Sequence, residues 1–330
     1  MNMKKIIISG VLISSVGAFL PEWIDFQMPS HPAFDEARVG FIRELRVNGF
    51  TDDKNVQIQI GNDSETLIMV QNLEDFKAKK EDSKIFLTMG TGMSKAVLSG
   101  LKNGQRLVYC SVTDPISSEI RGANITGVSN RVSAKDQLAF FKTLFPNVKK
   151  IGVLYNPKEI NSISLIDEVR EAAKALDIAL VFATTDKASE VMSTAESLKG
   201  VDAFFVNNDN TFTSEWGDVV KVADQMGIPA FSSDSSLIPF GAVASFGADS
   251  EEVGKEAGAI VSSLLKGTSM EKLPPKNVSK PLRVINTAQL EKLKITISEE
   301  VLSKNVDRRW PERGWLANIF AKIQSFFKKS

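Results

Sequence analysis

Two stretches of this chain repeat one local pattern, and the repeat limits the folds open to it. Residues 26–31 read Phe-Gln-Met-Pro-Ser-His and run into an amphipathic helix and then a strand, Val56-Gln-Ile-Gln-Ile60. Residues 154–159, Leu-Tyr-Asn-Pro-Lys-Glu, do the same and end in the strand Ile178-Ala-Leu-Val-Phe-Ala183. Each time a strand stops at a proline-bearing turn and a polar helix start follows. Two copies of a strand–turn–helix–strand unit predict two similar α/β lobes facing each other, an arrangement suited to clasping a small ligand.

The rest of the chain keeps the same rhythm. Helix 33–46 carries Phe34, Ala37, Phe41, Ile42 and Leu45 on one face, with Pro32 in its first turn and Gly49 just beyond its end. Strand Ile85–Thr88, helix 92–101 and strand Leu107–Ser111 follow. Lys150–Tyr155 is the short apolar run of a parallel strand covered on both faces. Helix 160–176, strands 178–183 and 201–206, helix 213–225 and strand Pro229–Phe231 come next. Strands separated by helices predict parallel, doubly wound sheets. Past Gly241 the pattern predicts a strand to Phe246 and a capping-box helix over 250–266 that Gly267 ends. The break at Pro274-Pro275 precedes a strand at Leu282–Ile285, so the chain crosses between lobes more than once.

Composition excludes several classes of function. The 40 basic and 40 acidic side chains cancel, so no global field draws the chain to nucleic acid. The lone cysteine, Cys110, rules out an internal disulfide, and the single histidine, His31, rules out a multi-histidine metal cage. No Gly-x-x-x-x-Gly-Lys-Ser/Thr loop is present, and no cofactor is implied. At the N-terminus, Lys4-Lys5, the apolar run Ile6–Val16 and Gly17-Ala18 read as a secretory signal over residues 1–18; the alternative is a buried first strand at Lys5–Ile8.

Open α/β sheets bind ligands at the carboxyl ends of their strands. Four polar loops fall there. Gly90-Thr91-Gly92-Met93-Ser94 suits an anion, since glycines admit close backbone approach and a helix start favours negative charge; a plain tight turn fits it equally well. The others are Ser111-Val-Thr-Asp114-Pro115, Asn156-Pro-Lys-Glu159-Ile-Asn161-Ser162 and Asn207-Asn-Asp209-Asn210-Thr211. Their carboxylates could hold an ammonium group. Each loop alone is more often a helix cap, but four together predict a shared cleft.

Several segments carry a resemblance: His31-Pro-Ala-Phe-Asp35, Val112-Thr-Asp-Pro115, Asn124-Ile-Thr-Gly-Val128, Tyr155–Ser162, Asp209-Asn-Thr211, Gly241-Ala-Val-Ala244 and the ending Ile285–Ile297. In unbroken order over about residues 22–305, they closely resemble the tryptophan/tyrosine-type substrate-binding proteins of bacterial ABC transporters. The resemblance implies a type I periplasmic binding fold, with two Rossmann-like, doubly wound lobes joined by a multi-crossover hinge. One lobe is expected from 22–128 plus about 246–275, the other from 129–245 plus about 276–306, with 307–330 a C-terminal extension. The implied function is reversible capture of a small ligand, amino acids and aromatic ones among them, in the periplasm for an ABC permease, without catalysis. Carried over by position, Thr91 and its neighbouring amides hold a ligand carboxylate, with Gly92 and Ser94 in the same turn. Ser111 lines the first-lobe wall, with Asp114 in its loop; Asn161 and Ser162, beside Glu159, close from the second lobe. Asp209, followed by Asn210, is the ammonium partner. Ser30 stands where the family often has glutamate, and Gly92-Met93 where it tends to have proline and alanine; His31 either touches ligand or caps helix 33–46.

Two other classes share such a scaffold: a small-molecule enzyme, and a ligand-sensing receptor. No histidine–carboxylate–nucleophile set favours the first, and the stretch before Trp23 is too short and apolar for a DNA-binding head. In the tail, Trp315, Leu316, Ile319, Phe320, Ile323, Phe326 and Phe327 recur at helical spacing. Six basic against two acidic residues from Asp307 onward suit a membrane surface for residues 310–330; packing on the protein itself or in a dimer is the alternative.

Overall fold

The computed structural model describes residues 32–60 and 67–311. The leader at 1–18, the strand expected to stop at the turn in 26–31, Ser30, His31 and the apolar stripe of the tail lie outside the described residues.

The chain begins in the first lobe with α1 (Pro32–Val47), β1 (Val56–Ile60), β2 (Leu67–Asn72), α2 (Leu73–Lys77) and β3 (Ile85–Met89). It continues there through α3 (Thr91–Gly100), β4 (Arg106–Cys110) and β5 (Ile125–Ser129). After a first crossing the second lobe holds α4 (Ala134–Leu144), β6 (Lys150–Tyr155), α5 (Ile160–Ile163), α6 (Ile166–Ala175) and β7 (Ala179–Thr184). There follow α7 (Val191–Glu196), β8 (Ala203–Val206), α8 (Asn210–Ser214), α9 (Trp216–Met226), β9 (Ala230–Ser232) and β10 (Ala244–Ala248). The chain then returns to the first lobe for α10 (Ser250–Leu265) and β11 (Lys276–Asn277). It ends in the second lobe with β12 (Pro281–Asn286), α11 (Thr287–Lys292), α12 (Glu299–Asn305) and β13 (Arg308–Trp310).

The sheets run β1-β2-β3-β4-β5-β11 and β13-β12-β10-β9-β8-β6-β7. Two α/β lobes are therefore present, but each sheet is mixed rather than wholly parallel. β2 lies antiparallel to both β1 and β3, and β12 antiparallel to β10. The crossings differ by a few residues from the boundaries expected at about 246 and 276. β10 stays in the second sheet to Ala248, and β11 pairs with β5 through Asn277. Asp307, where an extension is expected to begin, lies beside β13, which adds a parallel edge to β12, and accepts two hydrogen bonds from the Arg283 side chain.

Local chemistry explains where the observed helices depart from the periodicity. The single helix expected over 160–176 is broken after Ile163; Ser164 donates its hydroxyl to the Asn161 carbonyl and so competes with regular pairing. The helix expected over 213–225 is divided: α8 starts at Asn210, where the Asp209 carboxylate caps it by accepting from Phe212 N, and α9 starts at Trp216. The strand expected from Gly241 begins at Ala244, since Gly241 is spent ending the preceding turn in a left-handed conformation.

In the second lobe, α4 seats Phe141 flat on Phe231, with ring centroids 4.2 Å apart. In the first, α1 and α10 bury Phe41, Leu45, Val253, Ala257 and Val261 against strands β3 and β4. These two helices touch through glycines. A Cβ on Gly40 would sit 2.0 Å from the Glu251 carbonyl oxygen, and one on Gly254 1.8 Å from that of Ala37. The third crossing is pinned to α10 by Glu256, whose Oε1 accepts from Ser279 N and Oγ while Oε2 pairs with Lys276. Burial works against its charge, yet these partners hold its carboxyl below the ordinary range. Glu256→Ala is expected to cost about 2 kcal/mol, measured by denaturant unfolding, because hydrogen bonds to a charged group are lost together.

Candidate functional site

The cleft between the lobes is built from the carboxyl ends of strands, where the topology puts loops from both sheets face to face. It is a space of about 590 Å³ continuous with solvent. From the first lobe come Ala33 and Phe34 of α1, Gly90 and Thr91 at the start of α3, and Ser111 and Thr113 after β4. Gly90 is required here: its φ is +81°, and a Cβ would fall 2.8 Å from the Phe34 ring. The second lobe supplies Asn161 from α5, Asn208, Asp209, Asn210 and Thr213 around α8, and Ser233 and Asp234 after β9. Asn130, Ala248 and Ser250, at or beside the first two crossings, complete the lining.

Of the residues expected at the site, Thr91, Ser111, Asn161, Asp209 and Asn210 line this cleft. The other expected residues that the structure describes are held elsewhere for visible reasons. Ser94 turns inward, donating to the Gly90 carbonyl and pairing with Thr88 Oγ1, while Gly92 lies inside the first turn of α3 and off the lining. Asp114 closes its own turn by accepting from Ser117 and forms an ion pair with Arg131. That restraint holds its carboxyl below the ordinary range despite partial burial.

Glu159 is a brace between two loops. Its carboxylate accepts from the backbone of Asn210 and Thr211, and from the side chains of Asn156, Asn161, Asn210 and Thr211. Ser162 is buried beneath the lining, beside Asp209. Sequence pattern separates neither brace from contact, since both residue types cap helices.

Asp209 does two things. It is 2% exposed, and its Oδ2 accepts from Asn156 N at 2.6 Å while Oδ1 accepts from Phe212 N at 2.9 Å. It thereby ties β6 to α8, and it also faces the cleft. Burial and the neighbouring Glu159 carboxylate push its pKa up to about 7. A cation brought to this wall would favour the ionised form.

The lining also includes residues absent from the sequence expectation, notably Phe34, Thr113, Asn130, Asn208 and Ser233. Asn208 and Ser233 obey the strand-end rule and could be found by it; Asn130, on a crossing, has no such signal. Among the described residues no group of three His, Cys, Asp or Glu side chains is suited to hold a metal ion. Cys110 is fully buried, and that burial pushes its thiol up to about 12, where it is no nucleophile.

Two α/β lobes, three crossings and a polar cleft define a hinged solute-binding protein. The family described as ABC transporter substrate binding protein matches residues 26–308, and the chain belongs to it. It is 31% identical over 275 residues to a tyrosine-binding protein of Clostridioides difficile (strain R20291), covering 81% of this chain and 79% of that relative. It is similar to the ABC domain in complex with L-Trp from Streptococcus pneumonia, at 27% identity and TM-score 0.75, over 86% of this chain and 97% of the other. A ligand-free, open substrate-binding protein with adhesive properties from Clostridium difficile matches at 26% identity and TM-score 0.64, over 86% of this chain and 96% of the other. The family and these relatives are solute-binding proteins, not enzymes.

Proposed function

We propose that this protein captures a free amino acid, an aromatic one, between its lobes and delivers it to an ABC permease outside the cytoplasmic membrane. The observation that carries the reading is Asp209, a buried carboxylate on the second-lobe wall of a cleft whose first-lobe wall includes the N-terminus of α3. The ammonium of the ligand pairs with Asp209, flanked by Asn161 and Asn210. Its carboxylate meets Thr91 and the positive end of the helix, beside Ser111. Opposite charges held by fixed partners suit a zwitterion, since an unpaired charge in a closed cleft is costly. Phe34 gives the side chain an apolar surface. The relatives that bind tyrosine and L-Trp support the ligand class. Export rests on the basic–apolar leader at 1–18, and membrane-surface contact on the basic, aromatic tail. Among the described residues no helix is long and apolar enough to cross a membrane.

The test is calorimetry with L-tyrosine and L-tryptophan in buffers of differing ionisation enthalpy. Free Asp209 is protonated below about pH 7, and an ammonium partner requires the carboxylate. Binding therefore releases a proton, and affinity rises with pH until it levels above that value. About one proton is expected at roughly pH 5.5 and almost none at roughly pH 8. Asp209→Asn should remove the proton release. Absence of binding by any amino acid would overturn the reading, and pH-independent binding would remove Asp209 as the ammonium partner.

A further inference from the structure

A line of hydrogen bonds crosses the cleft wall from one lobe to the other. In the second lobe, Ser233 Oγ donates to Asn208 Oδ1 at 2.6 Å and accepts from Asn208 N at 2.8 Å. Asn161 Nδ2 donates to the Asn208 carbonyl at 2.7 Å. Asn208 Nδ2 then reaches into the first lobe and donates to Thr113 Oγ1 at 3.0 Å. Thr113 Oγ1 donates in turn to Asn130 Oδ1 at 3.1 Å, and the Thr113 carbonyl accepts from Ser129 Oγ at 3.0 Å.

We propose that Thr113 and Asn208 are an interlobe latch, positioning residues whose mutual hydrogen bond favours the closed arrangement and prolongs the stay of a captured ligand. Both ends are oriented before they meet. Ser233 holds Asn208 Oδ1, so the amide nitrogen is the atom directed at the first lobe. Asn130 Oδ1 accepts the threonine O–H bond, so a lone pair of Oγ1 faces that nitrogen. Thr113 is 3% exposed and Ser233 4%, which keeps water from competing for them. The bond is made entirely by the protein's own groups, and it contributes to closure whatever the ligand. Its four main members also line the cleft, so a ligand settles against a wall already joined across the lobes. One neutral hydrogen bond shifts an open–closed ratio only about two- to tenfold. A latch of that strength biases the hinge without locking it, as a protein that must release its cargo requires.

The proposal rests on the hinged-binder reading of the fold and not on the identity of the ligand, so its first readout uses none. Nitroxides on Lys95→Cys and Ser214→Cys report the interlobe distance by electron double resonance in the full chain. Both sites are exposed, one on each lobe, and Cys110 is buried away from the label. Asn208→Ala and Thr113→Val are each expected to raise the population of the open distance about two- to tenfold, while Thr113→Ser keeps the original distribution. Dissociation of L-tyrosine, followed by stopped flow, should accelerate by a similar factor in the two opening variants. Should Asn208→Ala fail to fold, Thr113→Val against Thr113→Ser decides the matter alone. Identical distance distributions in the original protein and Thr113→Val overturn the latch, as does opening by Thr113→Ser equal to that by Thr113→Val. Failure of L-tyrosine to bind leaves the distance result standing and counts only against the ligand assignment.

Discussion

Gly254→Ala should destabilise the protein by about 3 kcal/mol, although helix propensity alone favours alanine by roughly 1 kcal/mol. The new Cβ would lie 1.8 Å from the Ala37 carbonyl oxygen, 2.5 Å from its carbon and 2.7 Å from Ala37 Cα. These are backbone atoms of a neighbouring helix, so no side chain can turn aside to make room. Helices α1 and α10 must separate, and their shared core of Phe41, Leu45 and Val253 loosens with them. Because α1 carries Ala33 and Phe34 of the cleft, ligand affinity should fall as well. Denaturant melting gives the stability directly. A variant as stable as the parent would mean that the helix contact is looser than described.

Asp209→Ala should weaken amino-acid binding by about thirtyfold to several thousandfold, the range for truncating one partner of a desolvated charge pair. It should also lower stability by about 1–3 kcal/mol, since Phe212 N and Asn156 N lose their acceptor in a buried setting. Calorimetry on variant protein first checked for cooperative unfolding separates the two losses. Retained affinity with lowered stability would reduce Asp209 to a helix cap.

That double role marks the boundary of what residues alone can reveal. The strand-end rule finds the loops holding Thr91, Ser111, Asn161 and Asp209, because each is a polar run at the end of an apolar strand. It does not say which member of a loop faces the cleft. Glu159 and Asp209 lie in equivalent loops, and only the fold makes one a brace satisfied by six donors and the other part of the lining. Strand β2 shows a different limit. Leu67–Asn72 has five buried residues in succession, without the alternation that separates a strand from a buried helix segment. The Thr113–Asn208 bond joins residues 95 positions apart, and no local pattern encodes it.

The interleaved path of the chain has a consequence for its synthesis. The strands of the first lobe leave the ribosome early, but α10, which completes their core, follows only after the whole run from β6 to β10 has been made. Neither lobe is a contiguous stretch that could fold by itself while the remainder is still being translated. Long sequence separation between partners slows folding, and here the slowest pairing belongs to the segment made first. Until α10 has been made, the sheet of the first lobe lacks the helix that closes its core.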